Sequence, residues 1–380
     1  MKIALITCFY FPIAGGLSTD TLNHARTLTD LGHEVSIYTP TSTVRPYSDD
    51  GDIRVVRYPT DGSLRSKAKY LLTHPTLRGL IKVKMRDHEY PTLSNILKRA
   101  DYDVVHSRGI WCHALETNPQ KEVVTVMTFG TLPIDSRSFL YRKLVNYSIS
   151  EIDHRVAVWK GMVDALWSLW GIKVDKVINN GVDTSLFSPI RRGNDDDFVI
   201  GTVLKFAYRS KIQGLRIILL AFARLCKVKR NVRLKIVGDG PLKAEVEYYV
   251  NQLPPSTKGR ISLLGELDFY EMPAFYNTLD LYAHVSFQDA TPNSILEAMS
   301  CGLPILGNSI GFIPQLLRED IGWLVPANVE AVYHQLFLIS DADKRIIEKK
   351  GERARDRVKS DFCWRKTAQE YLKLYHVKRT

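Results

Sequence analysis

The chain has 380 residues and a formal net charge of +11, with 45% hydrophobic and 24% charged residues. That length exceeds one ordinary core and suits two domains, and the composition excludes disordered, collagenous and fibrous classes. The basic balance admits anionic substrates or a membrane surface, whereas nucleic acid has no zinc-finger spacing or RNA-recognition aromatic motif to carry it.

KIALIT (2–7) reads as a buried strand, and Gly15-Gly16 as the turn into a helix over 18–31. Leu22, Ala25, Leu28 and Leu31 stand at helical spacing, and Gly32 is the stop. Lys2 alone makes a poor leader n-region, so the N-terminus is expected to be the first strand rather than a signal peptide. Further strands are predicted at 34–38, 53–57, 104–106, 123–128 and 155–158. Their alternation with helical patterns implies a mainly parallel sheet covered on both faces. The polar run SPIRRGNDDD (188–197) reads as a linker. A second series follows, with strands at 198–204, 233–238, 261–265 and 281–285, and two helices from about 342 to 375. The last carries Trp364, Ala368, Tyr371, Leu372 and Tyr375 on one face.

Cys8, Cys112, Cys226, Cys301 and Cys363 form no C-x-x-C pair, which argues against structural zinc and for a reducing cytosol. No apolar run reaches the roughly 20 residues of a transmembrane helix. Between Leu64 and His88 lie seven Lys or Arg and no acid before Asp87. With Leu71, Leu72, Leu80 and Ile81 interleaved, residues 64–86 read equally as a surface helix pair broken at Pro75 or as a segment lying on anionic lipid.

The richest stretch is SFQDATPNSILEAMSCGLP (286–304). Asp289 precedes Glu297 by eight positions, across the turn-prone A-T-P-N. Asn293 is expected to cap a helix, which puts Asp289 in a loop and Glu297 about one turn into the helix. Backbone N–H groups at a helix start favour phosphate, and carboxylates accept from sugar hydroxyls. This pattern resembles the E-x7-E signature of retaining, family 4 nucleotide-sugar glycosyltransferases, with Asp in place of the first Glu. Gly15-Gly16, LTDLGHEVSIYTP, YDVVHSRG, NNGVD, VGDGP and the final F-C-W helix occur in that family's order.

The resemblance implies the GT-B fold: two Rossmann-like α/β domains facing each other across a cleft. The expected boundaries are 1–187 for the acceptor domain, 188–197 for the linker and 198–362 for the donor domain. The C-terminal helix, 363–380, is expected to rejoin the first domain. The implied donor is a nucleoside diphosphate sugar carrying UDP or GDP. The implied acceptor is a glycan, a lipid-linked sugar or a small molecule. No cofactor or metal is implied, and the chain is expected in the cytoplasm, peripheral on a membrane's inner face if 64–86 meets lipid.

By the same resemblance Gly15 and Gly16 approach the donor diphosphate. Lys205 stands where Arg is usual, and Gln213 where Lys is usual beside Gly214. The second cation is then Lys211 or Arg209, supplied from a lengthened loop. Cations are needed there because the departing diphosphate gains charge as the glycosidic bond breaks. Glu297 is expected to accept the ribose hydroxyls, Asp289 to face the transferred sugar, and Pro292, Asn293 and Ser294 to set the phosphate-facing turn. Catalysis is assigned to Asp289, Lys205 and Lys211. The family's first-domain His is missing: Met127, Thr128 and Phe129 occupy its place. His106, at another strand end, is either a cleft residue or a hydrogen-bonded structural one. These departures fit a changed donor. They also fit a non-catalytic sugar-nucleotide-binding or scaffold protein, with a nucleotide-sugar epimerase as the enzyme alternative.

Overall fold

The computed structural model describes residues 1–8, 10–11, 15–40, 51, 53–58, 90–109, 120–130, 149–150, 152–190, 197–289 and 291–378. The chain forms two compact units, Met1–Asn180 with Trp364–Thr380, and Gly181–Cys363. The basic segment 64–86 and Cys112 lie outside the described residues.

The first unit runs β1 (Lys2–Thr7), α1 (Gly16–Asp30), β2 (Glu34–Pro40), β3 (Arg54–Tyr58), α2 (Tyr90–Arg99), β4 (Val104–Arg108), β5 (Val124–Phe129), β6 (His154–Ala157), α3 (Lys160–Trp170) and β7 (Lys176–Val177). These strands make one sheet in the order β3-β2-β1-β4-β5-β6-β7, paired in parallel. Ile3, Ala4, Leu5 and Ile6 of the central β1 are fully buried. A strand covered on both faces reads as a continuous apolar run, which is what KIALIT is.

The second unit runs β8 (Phe198–Val203), α4 (Arg209–Val228), β9 (Val232–Val237), α5 (Lys243–Asn251), α6 (Pro255–Lys258), β10 (Ile261–Leu263), α7 (Met272–Tyr276), β11 (Leu281–His284), α8 (Asn293–Ser300), β12 (Ile305–Asn308), α9 (Ile313–Leu316), β13 (Gly322–Val325), α10 (Val329–Ser340) and α11 (Lys344–Asp361). Its sheet order is β10-β9-β8-β11-β12-β13, again parallel. The core gathers Ile212, Leu215, Leu219 and Phe222 of α4 against Ile200, Leu234, Ile236 and Leu281 of the strands. The strand order reverses at β8, with β9 on one side and β11 on the other. Ligands of open α/β sheets bind beyond the carboxyl ends of strands at such a switch point.

After α11 the chain returns to the first unit as α12 (Trp364–Tyr375), whose Trp364, Ala368, Tyr371 and Tyr375 are buried. The crossing between units falls at Asn180–Gly181, ahead of the polar run 188–197. Asn277 holds both ends of 188–190: its Oδ1 accepts from the Ile190 N–H at 2.7 Å, and its Nδ2 donates to Ser188 O at 2.9 Å. The sequence pattern missed β7, β12 and β13, which are short and lack flanking alternation.

Candidate active site

The loop after β8 is shaped by the VGDGP turn. Leu204 N–H donates to Val237 O at 3.1 Å, Phe206 N–H to Asp239 O at 2.9 Å, and Leu242 N–H to Phe206 O at 2.8 Å. A Cβ on Gly238 would lie 2.0 Å from Leu204 O, so only glycine lets the two turns touch. Lys205 is exposed on this turn.

The expected lengthened loop is instead helix. α4 begins at Arg209, with Tyr208 at its N-cap, so Arg209 and Lys211 both sit in its first turn. α4 then rests on the end of β11. A Cβ on Gly214 would lie 1.9 Å from Val285 O, and Phe287 N–H reaches Ser210 O at 3.4 Å. This close approach, one helical turn beyond Lys211, brings Lys211 to the loop that carries Asp289. Arg209 goes elsewhere and pairs with Glu245 at 3.2 Å while 75% exposed.

Asp289 is nearly enclosed. Its Oδ2 lies 3.0 Å from Lys211 Nζ and 3.0 Å from His284 Nε2, with side-chain exposures of 9%, 25% and 5% respectively. Burial opposes ionisation of this carboxyl, but the His284 hydrogen bond and the charges of His284 and Lys211 outweigh it and hold it down to about 2. The loop is pinned at its base. Ser286 N–H donates to Asn308 Oδ1 at 3.0 Å, Asn308 Nδ2 donates back to Ser286 O at 2.9 Å, and Ser286 Oγ donates to Gln288 O at 3.0 Å. Sequence reasoning missed His284; its position at a strand end, five residues before the acid, was the available signal.

Glu297 stands in the second turn of α8 and is 9% exposed. The buried hydroxyl of Tyr276 donates to its Oε2 at 2.8 Å. Burial and then the Glu297 charge raise Tyr276 well above its ordinary range, and the same two causes push the Cys301 thiol up to about 12. The helix cap differs from the expected one. Pro292 occupies the N-cap without a side-chain bond, and Asn293 is the first helical residue, followed by the half-buried Ser294.

In the first unit Gly15 is the N-cap of α1 and Gly16 its first residue. His106, Thr128 and Phe129, expected near an acceptor, are 0%, 1% and 1% exposed. His106 Nδ1 meets the Tyr375 hydroxyl at 2.7 Å, and its Nε2 meets Thr128 Oγ1 at 2.8 Å. The Tyr371 hydroxyl lies 2.9 Å from the same Oγ1. Of the two readings for His106, this geometry gives the structural one: the residue lies in the middle of β4 rather than at its end, and Tyr371 and Tyr375 of α12 cover it.

Beside it lies a sealed cluster. Arg108 is 2% exposed; its Nη1 donates to His24 Nδ1 at 3.2 Å, and its Nη2 donates to Asn180 Oδ1 at 3.3 Å and lies 3.6 Å from Asp20 Oδ2. Trp364 lies under the guanidinium and alongside the His24 ring. Burial above all, with Arg108 adding to it, drives His24 and His106 well below the ordinary histidine value.

Two parallel-sheet α/β units, the second carrying a basic turn, a helix start and two buried acids beside its switch point, have the architecture of the GT-B glycosyltransferases. The family comparisons agree along the chain. Residues 14–186 match the model of Glycosyltransferase Family 4, and residues 197–340 that of Glycosyl transferases group 1. The chain belongs to the family 4 glycosyltransferases and is an enzyme of that kind. It is 25% identical to the phosphatidylinositol N-acetylglucosaminyltransferase gpi3 subunit of Schizosaccharomyces pombe over 98% of this chain and 79% of that protein. The corresponding phosphatidylinositol N-acetylglucosaminyltransferase chain of Arabidopsis thaliana is also 25% identical, over 84% of this chain and 70% of that one. Among solved structures, sucrose-phosphate synthase from Thermosynechococcus elongatus superposes with a TM-score of 0.76 at 19% identity, covering 98% of each chain. A glycosyltransferase from Rickettsia africae gives 0.75 at 20%, covering 98% of this chain and 97% of its own. Both show the fold.

Proposed function

We propose that the chain transfers a sugar from a nucleoside diphosphate donor to a hydroxyl on a lipid-carried acceptor, with retention and without a metal ion or cofactor. The observation that carries the donor half is the meeting of Lys211 with Asp289 at the β8–β11 switch point, one short loop from the start of α8. In this reading Lys205 and Lys211 face the diphosphate, the N–H groups at the start of α8 add their partial positive charge, and Glu297 accepts the ribose hydroxyls.

Transfer breaks the bond between the anomeric carbon and the diphosphate oxygen and forms one from the same face to the acceptor oxygen. The acceptor's proton goes to the departing phosphate oxygen, so no protein nucleophile is needed. Charge grows on the leaving group as the bond opens, and cations already in place stabilise that state more than the bound donor. Asp289, held ionised, accepts from a hydroxyl of the transferred sugar. Two features support the lipid-carried acceptor: the names of the two relatives, which specify phosphatidylinositol, and the basic, apolar run 64–86.

A thermal-shift panel of UDP, GDP and ADP with their sugars tests the donor. One base is expected to raise Tm, since saturation at 100 times Kd stabilises the fold by about 2.7 kcal/mol; a flat panel would remove the donor site. Flotation with anionic vesicles tests the acceptor side. Binding is expected to fall with salt and with Lys67, Lys69, Lys82 and Lys84 replaced by Gln, since each cation near such a surface contributes about 1 kcal/mol. Equal flotation of wild type and the quadruple variant would favour an acceptor taken from water.

A further inference from the structure

Two of the groups around Asp289 meet the same carboxylate oxygen. Lys211 Nζ and His284 Nε2 both lie 3.0 Å from Oδ2, but they differ in freedom. Lys211 is 25% exposed, at the end of a four-carbon stem on the first turn of α4. His284 is 4% exposed, ends β11, is in parallel register with Gly307 of β12, and stacks on Tyr282 with ring centroids 6.3 Å apart. It has no room to follow a ligand.

In the proposed reaction Lys211 has two anionic partners, the carboxylate now beside it and the diphosphate of the donor. A diphosphate carries more charge than one carboxylate, so the mobile ammonium turns toward it. Asp289 then loses a cation while still largely buried, and a weaker hold on a carboxylate in such a place is costly. Asp also has one fewer rotatable bond than Glu and cannot swing after the lysine. The strand-end imidazole is a partner that stays.

We propose that His284 is a positioning residue for transfer: its Nε2–H holds the Asp289 carboxylate toward the sugar when Lys211 leaves it for the diphosphate. This rests on the donor site proposed above. The imidazole acts through Asp289, so its loss bears on the sugar end and leaves nucleotide binding in place.

Two polar variants of different reach separate this role from simple packing. In His284→Gln an amide N–H lies close to where Nε2 was; in His284→Asn it falls short. Circular dichroism and Tm establish folding, calorimetry measures UDP and GDP affinity, and turnover is the release of nucleoside diphosphate from UDP-N-acetylglucosamine, UDP-glucose and GDP-mannose. With the donor that wild type uses, His284→Asn is expected to lower kcat by about tenfold or more, the scale of one lost charge-assisted hydrogen bond. Diphosphate affinity should stay within about twofold, and His284→Gln should regain most of the lost kcat. Equal kcat in wild type and His284→Asn, equal losses in the Asn and Gln variants, or a loss of UDP or GDP affinity matching the loss of kcat would each overturn the proposal. A wild-type chain that binds a diphosphate but turns over no donor would count against the proposed reaction, and the positioning role would fall with it.

Discussion

Each unit places a histidine in a parallel strand, His106 in the middle of β4 and His284 at the end of β11, and each histidine has a charged neighbourhood. The outcomes are opposite. α12 lays Trp364, Tyr371 and Tyr375 over the first, so that His24, His106 and Arg108 are all sealed. The second meets the loop of Asp289 beside the start of α4, where Lys211 keeps a quarter of its side chain exposed, at 25%. In the sealed cluster burial keeps both imidazoles neutral. In the other, the neighbours keep a carboxyl ionised against burial. What covers a strand decides whether its polar groups hold the fold or are offered to a ligand.

The sharpest way to break this comparison is to truncate the sealed charge. Arg108→Ala removes the guanidinium that lies 3.6 Å from the buried Asp20, and the expected loss is about 3–5 kcal/mol in urea unfolding of the first unit. A loss below about 1 kcal/mol, the scale of a surface pair, would deny the cluster its structural role.

Next in size is the response to acid. His24 and His106 have folded values lowered from 6.5, so below that pH the unfolded chain binds protons that the folded chain does not. Stability should be full above about pH 6.5 and fall below it by up to about 1.4 kcal/mol per pH unit per histidine, until the folded values are reached. Asp289 contributes in a different window: its folded value of about 2 lies below the ordinary 3.8, and its share is lost only as pH falls through that range. Thermal melts from pH 7 to 5 on wild type and on a His24→Phe, His106→Asn double variant check this. An unchanged slope in the double variant would contradict it.

A smaller effect is expected at the ligand end. Glu297→Gln keeps an acceptor for the Tyr276 hydroxyl and removes the charge, so the fold should persist. Donor affinity should weaken by about 1–2 kcal/mol, roughly 5- to 30-fold, because bonds to a charged acceptor are the stronger ones. Calorimetry with the stabilising nucleotide sugar reads this directly, and unchanged affinity would take Glu297 out of the donor site.

Much of the fold was legible. KIALIT and FVIGTVL announce buried parallel strands by their density of apolar residues, EVSIY does so by its β-type residues, and the stripe from Trp364 to Tyr375 announces the helix that closes the first unit. The spacing of Asp289 and Glu297 around a helix start was equally plain. The signals that failed depend on tertiary contact. Gly214 looked like half of a displaced Lys-Gly pair, yet its absent Cβ is what seats α4 against Val285. Lys211 and Arg209 could not be told apart by sequence, because Glu245, which takes Arg209, lies on another helix. The two readings of His106 could not be told apart, because its cover comes from the far end of the chain.

The most direct test of the central claim, that Lys211 and Asp289 serve a donor diphosphate and its sugar without metal, is release of nucleoside diphosphate by the purified chain in EDTA. Wild type should release it slowly without an acceptor, at the same rate with or without chelator. Lys211→Met and Asp289→Asn should each lower that rate by about 100-fold, the scale of one lost electrostatic contact to a developing charge. No release from any UDP- or GDP-sugar, or release that stops in EDTA and returns with Mg²⁺ or Mn²⁺, would contradict the account.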